Sequence, residues 1–389
     1  MVPNGWSKIK LGDLTKVITS GSRDWAKYYA DSGSKFIRMT NLNRHGIHLL
    51  LDDLKYVSVD STSSDGKRTA LQAGDILCSI TAELGKIGWI PENFGEAYIN
   101  QHTALIRIDA KKADSKFIAY QLSSNRINQV INSLNDAGAK AGLNLPTIKA
   151  IPIFYPPLAE QNKIAQILST WDQAISATEK LLENSQQQKK ALMQQLLTGK
   201  KRLLDESGVT FSEEWQLGHL VDIAKISKGK ALSSKDLEIG NYPVIAGGKT
   251  SPYTHSEYTH ENVITVSASG AYAGYVAFYP YKIWASDCSV VSNKIGSDVN
   301  FIYHLLVSMQ TIIYSRQSGG AQPHIYPKDI EGLKILIPPL VEQNKIASVI
   351  SLAAQEIRAL QKKIDCLKQE KKALMQQLLT GKKRVKVAA

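Results

Sequence analysis

The stretch that organises this sequence is residues 156–202, PPLAEQNKIAQILSTWDQAISATEKLLENSQQQKKALMQQLLTGKKR. It recurs at residues 338–384 as PPLVEQNKIASVISLAAQEIRALQKKIDCLKQEKKALMQQLLTGKKR. The copies align without a gap at a constant offset of 182, and 29 of 47 positions are identical. Two repeats are too few for a solenoid, which needs at least about three units. The duplication therefore predicts a two-part molecule with equivalent surfaces, resembling a symmetric dimer within one chain.

Each copy carries the signals of one long helix. A Pro-Pro pair blocks helix upstream, Glu160 or Glu342 follows in the first turn, and Gly199 or Gly381 stands where a left-handed cap is wanted. Between these signals the apolar positions step by three and four, the spacing of a coiled-coil seam. They are Ile164, Leu168, Trp171, Ile175, Thr178, Leu182, Leu192 and Leu196, and then Ile346, Ile350, Ala353, Ile357, Leu360, Ile364, Leu367, Leu374 and Leu378.

The length of these helices predicts how they pair. A 40-residue helix rises roughly 60 Å, so its seam needs a partner of similar length, and the other copy is the expected partner. An antiparallel coiled coil would place one globular domain at each end of a rod with pseudo-twofold symmetry. Lys189 and Lys371 occupy equivalent seam positions, where a lysine fixes the register or reaches a third chain.

The last turns of the two copies, KKALMQQLLTGKKR in both, are more alike than their middles. Solvated polar positions normally drift between duplicated segments, so this identity indicates a shared docking surface for a partner protein. The candidate docking residues are Gln194, Gln195, Lys200, Lys201, Gln376, Gln377, Lys382 and Lys383.

Composition indicates an ordinary globular, cytoplasmic protein. A chain of 389 residues with 43% hydrophobic content predicts two or three domains. No apolar run approaches the length of a membrane span, and the first residues are too polar for a signal peptide. Cys78, Cys288 and Cys366 are scattered and odd in number, which favours reduced structural thiols over metal ligands.

The net charge of +12 suggests a polyanionic partner, but the charge is uneven. Residues 338–389 carry 11 Lys and Arg against 4 Asp and Glu, whereas residues 205–337 carry 10 against 13. Most of the excess therefore lies on the helices. Either the helices contact the polyanion, or the globular surfaces are locally polarised by lysine and arginine clusters.

The two segments outside the repeats share a plan. Each opens with Trp and then Leu-Gly (Trp6, Trp215), and continues through β-branched runs, a helical stretch, a glycine-rich loop and a final strand into Pro-Pro. The predicted fold class is α+β, with two mixed α/β domains separated by the two long helices. The predicted segments are 1–155, 156–204, 205–337 and 338–389. A shared frame with divergent loops is typical of recognition modules.

The sequence resembles a known family, the specificity subunits of type I restriction–modification systems. The resemblance rests on PPLAEQNKIAQIL and PPLVEQNKIASVI and on the LLTGKKR ends, and it covers the whole chain. It implies that each globular domain is a target-recognition domain for half of a bipartite double-stranded DNA sequence. It also implies that the helices set the spacer and dock two methyltransferase subunits, with restriction and translocase subunits joining the full complex.

The motifs present do not indicate catalysis. No G-x-G-x-x-G or P-loop cradles a cofactor or nucleotide. The segment Tyr155-Pro156-Pro157-Leu158 lacks the carbonyl acceptor and the aromatic ring of an amino-methyltransferase motif. His45 and His48 lie in an Asn- and Gly-rich context that favours a loop over a metal site. Neither cofactor nor metal is expected. The alternatives left open are a coiled-coil scaffold that binds non-DNA ligands and a stand-alone DNA-modifying enzyme.

The candidate DNA-binding residues are Gly and Ser near the backbone, which suit phosphates, and Arg, Lys, Asn, Gln and His, which suit phosphates or base edges. In the first domain they are Ser20, Gly21, Ser22, Arg23, Arg38, Asn41, Asn43, Arg44, Gln101, His102, Lys140 and Asn144. In the second they are Lys228, Lys230, Ser233, Ser234, Gly247, Gly248, Lys249, Ser267, Ser269, Gln322 and His324.

Overall fold

The structure is a computed structural model that describes residues 3–134, 142–233, 235–248 and 253–387. The chain divides into two compact units. Unit 1 is Met1–Ala177 with Ile364–Ala389, and unit 2 is Thr178–Lys363. Each unit combines one globular segment with part of each long helix. The four-segment division stays a prediction, because compactness groups the helix parts with the globular segments.

The strands of unit 1 are β1 Ser7–Lys10, β2 Thr15–Ser20, β3 Tyr29–Ala30, β4 Ser34–Ile37, β5 Lys55–Val57, β6 Ile76–Ser79, β7 Ile87–Trp89, β8 Ala97–Ile99, β9 Thr103–Ile108 and β10 Pro152–Tyr155. Its helices are α1 Ser64–Thr69, α2 Ser115–Ser123, α3 Asn125–Ser133, α4 Leu145–Lys149 and the first part of α5 Leu158–Leu196. The sheets have the orders β2-β9-β6-β7, β3-β5-β4-β8 and β1-β10, and β4 pairs with β8 in parallel.

The strands of unit 2 are β11 Gln216–His219, β12 Ala224–Lys228, β13 Tyr242–Ile245, β14 Thr254–His255, β15 Val263–Ser267, β16 Val276–Tyr279, β17 Trp284–Ala285, β18 Cys288–Asn293 and β19 Lys334–Ile337. Its helices are α6 Leu220–Ile223, α7 Val299–Ser308, α8 Gln310–Ser315, α9 Pro327–Glu331 and the first part of α10 Leu340–Leu378. The sheets have the orders β12-β18-β15-β16, β14-β13-β17 and β11-β19.

The same plan underlies both units. The four-stranded sheet β12-β18-β15-β16 repeats the order of β2-β9-β6-β7, and β13 pairs with β17 in parallel as β4 pairs with β8. The pair β11-β19 repeats β1-β10. The predicted pair of mixed α/β domains is therefore confirmed.

A glycine marks the end of the first long strand in each unit. A Cβ on Gly21 would lie 2.0 Å from the Asn100 carbonyl oxygen, and one on Gly229 would lie 2.3 Å from that of Ser286. Both contacts are far shorter than van der Waals distance, so only glycine allows the chain to pass so close to the neighbouring backbone.

The long helices end as the sequence predicts. Both are 39 residues long, and Gly199 and Gly381 follow them with φ of +70° and +69°, the left-handed conformation of a C-terminal glycine cap. In unit 1 the start of α5 packs with the end of α10, and in unit 2 the end of α5 packs with the start of α10. The helix segments therefore run antiparallel within each unit. The buried residues of these packings include Ile164, Leu168, Leu378 and Leu379 in unit 1, and Leu196, Leu197, Ile346 and Ile350 in unit 2. A coiled coil over the full helix length stays a prediction.

The described part of the chain contains no helix long and apolar enough to cross a membrane. The same residues hold no group of three or more His, Cys, Asp or Glu that could bind a metal ion.

Candidate nucleic-acid interface and docking surface

Three loops meet at one end of the four-stranded sheet in unit 1. The backbone NH of Ile80 donates to the His102 carbonyl at 3.0 Å, and that of Leu143 donates to the Ile80 carbonyl at 3.0 Å. On this frame the Thr81 hydroxyl lies 2.8 Å from Nδ1 of His102, and the Gln101 amide lies 3.0 Å from Nε2 of the same ring. We call these residues the unit 1 loop cluster.

The same frame recurs in unit 2 with other side chains. The backbone NH of Ala268 donates to the Asp287 carbonyl at 3.1 Å, and that of Ile325 donates to the Ala268 carbonyl at 2.9 Å. Here the Ser269 hydroxyl donates to the Asp287 carboxylate, and the backbone of Ser269 forms an isolated antiparallel β-bridge with that of His324. A serine–aspartate pair thus replaces the threonine–histidine pair. We call these residues the unit 2 loop cluster.

Cations and rings surround the unit 2 loop cluster. The His324 ring stacks on Tyr326 with an interplanar angle of 12°, and Nζ of Lys228 lies 5.8 Å from the Tyr326 ring. Nζ of Lys230 lies 4.8 Å from the Trp284 ring. Gly247 also reaches this place, because a Cβ there would lie 3.2 Å from the Asp287 carboxylate. Exposed lysines beside flat rings suit a nucleic-acid backbone and its bases.

The structure brings together several residues that the sequence singled out. In unit 1, Ser22 bridges to Asn100 immediately before Gln101 and His102, so the segment Ser20–Arg23 adjoins that turn. In unit 2 the residues brought together are Lys228, Lys230, Gly247, Ser269 and His324. Of the remaining unit 2 candidates, Gly248 is half-buried, Gln322 is exposed, and exposed Ser233 bonds to Asp236.

Four of the predicted DNA-binding residues have structural positions instead. Gly21 lies against the Asn100 backbone, and Ser22 is buried with bonds to Asp65 and Arg68. Asn41 is buried and accepts from the Arg38 NH at 3.0 Å, and Ser267 is buried at the end of β15. The three enclosed side chains do not reach a DNA groove, and Gly21 has no side chain to reach one. None of the four therefore belongs to the candidate interface.

The other arginine and asparagine candidates lie apart from the loop cluster or serve the fold. Arg38 pairs with Asp53 at 2.7 Å, and Asn144 caps α4 by accepting from the Thr147 NH at 2.8 Å. Arg44 donates to the Leu84 carbonyl at 2.6 Å. The Asn43 side chain accepts from the NH of His45. Three further candidates lie outside the described residues, namely Lys140, Ser234 and Lys249.

The sequence reasoning missed Thr81, Asp287 and Tyr326. Thr81 and Ser269 each follow a β-branched run that breaks into small residues, which is a signal for a loop but not for its position. No signal in the sequence singles out Asp287, because a carboxylate repels DNA phosphates, although it can accept from a base amine.

A second arrangement, which we call the clamp, lies at the first turn of each long helix. It consists of a glutamate of that turn with the arginine and the tryptophan that donate to it. In unit 1 the Glu160 carboxylate accepts from Arg384 at 2.7 and 2.8 Å and from Trp6 Nε1 at 3.2 Å. In unit 2 Glu342 accepts from Arg202 at 2.7 Å twice and from Trp215 Nε1 at 2.8 Å. These bonds to the carboxylates raise the pKa of both arginines.

The residue after each glutamate is also the same. Gln161 accepts from the Asp114 NH at 3.0 Å and donates to the Pro156 carbonyl at 2.8 Å. Gln343 accepts from the Asp298 NH and donates to Pro338 at the same distances. Each glutamine therefore satisfies two backbone groups, the NH of the residue that caps α2 or α7 and the carbonyl of a proline just before the long helix.

The clamp accounts for the arginine of the repeated TGKKR ending but not for its lysines. All eight predicted docking residues are exposed on the helix ends: Gln194, Gln195, Lys200, Lys201, Gln376, Gln377, Lys382 and Lys383. Their identity in the two repeats has no packing cause in the described contacts, so a docking role stays a prediction.

Comparison with known proteins gives consistent matches. Residues 3–185 and 212–369 match the family described as type I restriction modification DNA specificity domain. A putative type I restriction enzyme MjaX specificity subunit from Methanocaldococcus jannaschii is 28% identical over 413 aligned positions, covering 99% of this chain and 95% of that protein.

Solved structures share the fold. An S subunit of a type I restriction–modification system from M. genitalium matches with a TM-score of 0.66 and 18% identity, over 97% of both chains. A structure concerned with complex assembly and conformational transition of the type I R-M system matches with a TM-score of 0.57 and 17% identity, over 97% of this chain and 98% of that one. Because the family model covers most of the sequence in two blocks, this chain belongs to the type I restriction modification DNA specificity domain family.

Proposed function

We propose that the chain is the DNA specificity subunit of a type I restriction–modification enzyme, and that each unit reads one half of an asymmetric, bipartite double-stranded target. The single observation that carries this is the pair of loop clusters. Their backbone bonds are equivalent, whereas Thr81 and His102 are replaced by Ser269 and Asp287. A fixed frame with exchanged polar groups is what reading two different half-sites requires.

The chemistry of the two clusters favours different bases. The Gln101 amide can pair with adenine, and the His102 ring can donate to or accept from a base edge. In unit 2, Asp287 can accept from the cytosine amine, while Lys228 and Lys230 suit phosphates. Phosphate contacts position each unit, and the base contacts carry the sequence preference.

The helix ends serve a different partner in this proposal. Leu158 and Leu340 are identical in the repeats and 38% and 40% exposed. The clamp places each of them close to the exposed lysines at the end of the other helix. Each unit therefore offers a composite surface, and two copies of one methyltransferase subunit would dock on the two surfaces. Restriction and translocase subunits would join that complex.

This division leaves catalysis to the partners. The chain has no cofactor cradle among its motifs, and its relatives are described as specificity subunits. The scaffold and stand-alone enzyme hypotheses gain no support from the family match.

The test is a methylation map made with the chain and its cognate methyltransferase subunit. Asp287→Asn should relax or change the preferred base at one position of one half-site. Glu257→Gln is the matched control, because this exposed carboxylate of unit 2 has no side-chain bond among the described contacts and the charge change is the same. Equal effects of both variants, or a change in both half-sites, would contradict the proposal.

A further inference from the structure

Lys371 of unit 1 lies in a closed polar network. Its side chain is 7% exposed and pairs with Asp172, which also accepts from the Tyr120 hydroxyl at 2.6 Å. Nε2 of His48 lies 3.3 Å from the same carboxylate. Despite burial, these bonds and the Lys371 charge hold the pKa of Asp172 below its usual value. In unit 1 the charge of this seam lysine is thus paired with a carboxylate of the same unit. Its role in fixing the helix register stays a prediction.

The repeat places Lys189 at the same position in unit 2. The residue equivalent to Asp172 is Ala354, which has no carboxylate. Tyr120 lies six residues after Asp114, which caps α2, and His304 lies six residues after Asp298, which caps α7. The buried His304 ring therefore takes the place of the phenol.

In unit 2 the lysine at this position has a second cation beside it instead of a carboxylate. Lys189 is half-buried, and burial followed by the charge of Arg358 lowers its pKa. His304 bonds to Ser351 through Nε2 at 2.9 Å. Burial, and then the Lys189 charge, lower the pKa of His304 to about 4. At neutral pH this ring is uncharged, so the local charge comes from Lys189 and Arg358.

No carboxylate among the described residues pairs with either cation. Arg358 is exposed on α10, so the pair is reachable from outside. We call Lys189, Arg358, Ser351 and His304 the cation notch. A partly buried lysine beside an arginine is unfavourable unless an anion compensates it.

We propose that the cation notch receives a carboxylate side chain from the methyltransferase subunit that docks on unit 2. The inference rests on the proposed function, because it takes that subunit as the partner. Unit 1 shows the chemistry that this lysine position accepts, since Asp172 fills it with a carboxylate. The notch lies on the helices, and the loop clusters of the DNA interface are built by other elements.

The two docking surfaces are then unequal. The subunit on unit 2 gains one charge-assisted contact that unit 1 satisfies internally. Such a contact corresponds to about tenfold in affinity. The chain would bind its first methyltransferase subunit on unit 2 and its second on unit 1.

The test uses the full chain with its purified cognate methyltransferase subunit, and native mass spectrometry or calorimetry to resolve the two binding steps. Ala354→Asp should fill the notch internally and weaken the tighter step about tenfold, leaving the other unchanged. Ala359→Asp is the matched control, because it adds the same charge to an exposed position of the same helix. Lys189→Met should weaken the same step as Ala354→Asp.

A second readout checks that the new aspartate reaches the notch. By offsetting the charge of Lys189, Ala354→Asp should raise the pKa of His304 in an NMR titration. An unchanged pKa would overturn the inferred geometry. Unaltered binding steps, or equal losses in both, would overturn the proposed partner. Intact assembly with weaker, less salt-dependent DNA binding would show that the notch takes a phosphate instead. If the wild-type chain bound no methyltransferase subunit at all, the proposed function itself would fail.

Discussion

In unit 1 and unit 2 the same residue types bond to the start of the long helix, whereas the loop clusters contain different side chains. Glu160 and Glu342 each accept from one arginine, at nearly equal distances, and from one tryptophan. At the loop clusters, equivalent backbone bonds carry unlike side chains. The difference indicates that the fold of each unit requires the clamp residues. It does not require particular side chains in the loop clusters, which can therefore differ with the half-site that each unit is proposed to read.

The largest expected effect comes from exchanging a whole globular segment. Replacing residues 205–337 with the corresponding segment of a relative should switch one half of the methylated sequence completely. The other half should stay unchanged, because the unit 1 loop cluster is bonded within its own unit. Methylation mapping of the hybrid measures this. A hybrid that altered both halves would show that the two units do not read independently.

The next effect tests the clamp. Glu342→Ala leaves Arg202 and Trp215 without their shared acceptor inside unit 2 and should lower the free energy of unfolding by about 3 kcal/mol. Glu160→Ala should cost less in unit 1, because the Arg384 side chain is 45% exposed against 23% for Arg202. Urea unfolding of both variants compares them.

Glutamine serves as the control at each clamp position. Glu342→Gln keeps an oxygen for the tryptophan NH and should recover part of the lost stability. Equal costs at Glu342 and Glu160 would mean that solvent exposure of the arginine does not set the strength of the clamp.

The two units should also differ in how their stability depends on pH. The pKa of His304 falls from 6.5 to about 4 in the folded chain, so below pH 6.5 the unfolded chain binds a proton that the folded chain excludes. Because of this group, the free energy of unfolding is highest above about pH 6.5. It decreases as the pH falls toward 4, by up to about 3 kcal/mol. Its unit 1 counterpart, Tyr120, has a raised pKa and stays uncharged there.

Thermal unfolding between pH 7 and pH 4 measures this effect. His304→Asn removes the titrating ring and should flatten the pH dependence, whereas Tyr120→Phe should leave its slope unchanged. A His304→Asn chain with the wild-type slope would assign the acid sensitivity to other groups.

The smallest expected effect concerns the helix ends. Charge reversal at Lys200, Lys201, Lys382 and Lys383 should weaken methyltransferase assembly or DNA affinity about tenfold and reduce the salt dependence. The preferred sequence should not change, because these lysines lie outside the loop clusters. Binding titrations at two salt concentrations measure both quantities. Normal assembly and binding would make them ordinary solvated residues, and a changed sequence preference would contradict the division between reading and docking surfaces.

Local signals in the sequence sufficed for the helices and the fold class. The repeat, the apolar spacing and the glycines after each copy depend only on neighbouring residues, and both helices end where those signals lie. The clamp escaped prediction because Glu160 and Arg384 are 224 residues apart. Their presence in both repeats was visible, but identity alone does not distinguish an internal bond from a docking contact.

The candidate interface was predictable only in part for a similar reason. Residue type suggested Ser22 and Asn41, yet each is buried, because a polar side chain can satisfy the backbone of a loop as well as a DNA base. Lys189 and Lys371 look equivalent in the sequence. Their surroundings differ through single residues on other elements, Ala354 against Asp172, which only the packing reveals.

The clamp also bears on how the chain can be cut and joined. In unit 2 a continuous segment links Arg202 to Trp215, and Arg202 donates to the Glu213 carbonyl at 2.8 Å. In unit 1 Arg384 makes the equivalent bond to the Asn4 carbonyl at 2.6 Å, without any direct covalent link between those residues. A circularly permuted chain, opened between residues 203 and 212 and joined from 384 to 3 by a short linker, would retain both sets of contacts. The order of the two units along the gene is therefore not required by the fold of either unit.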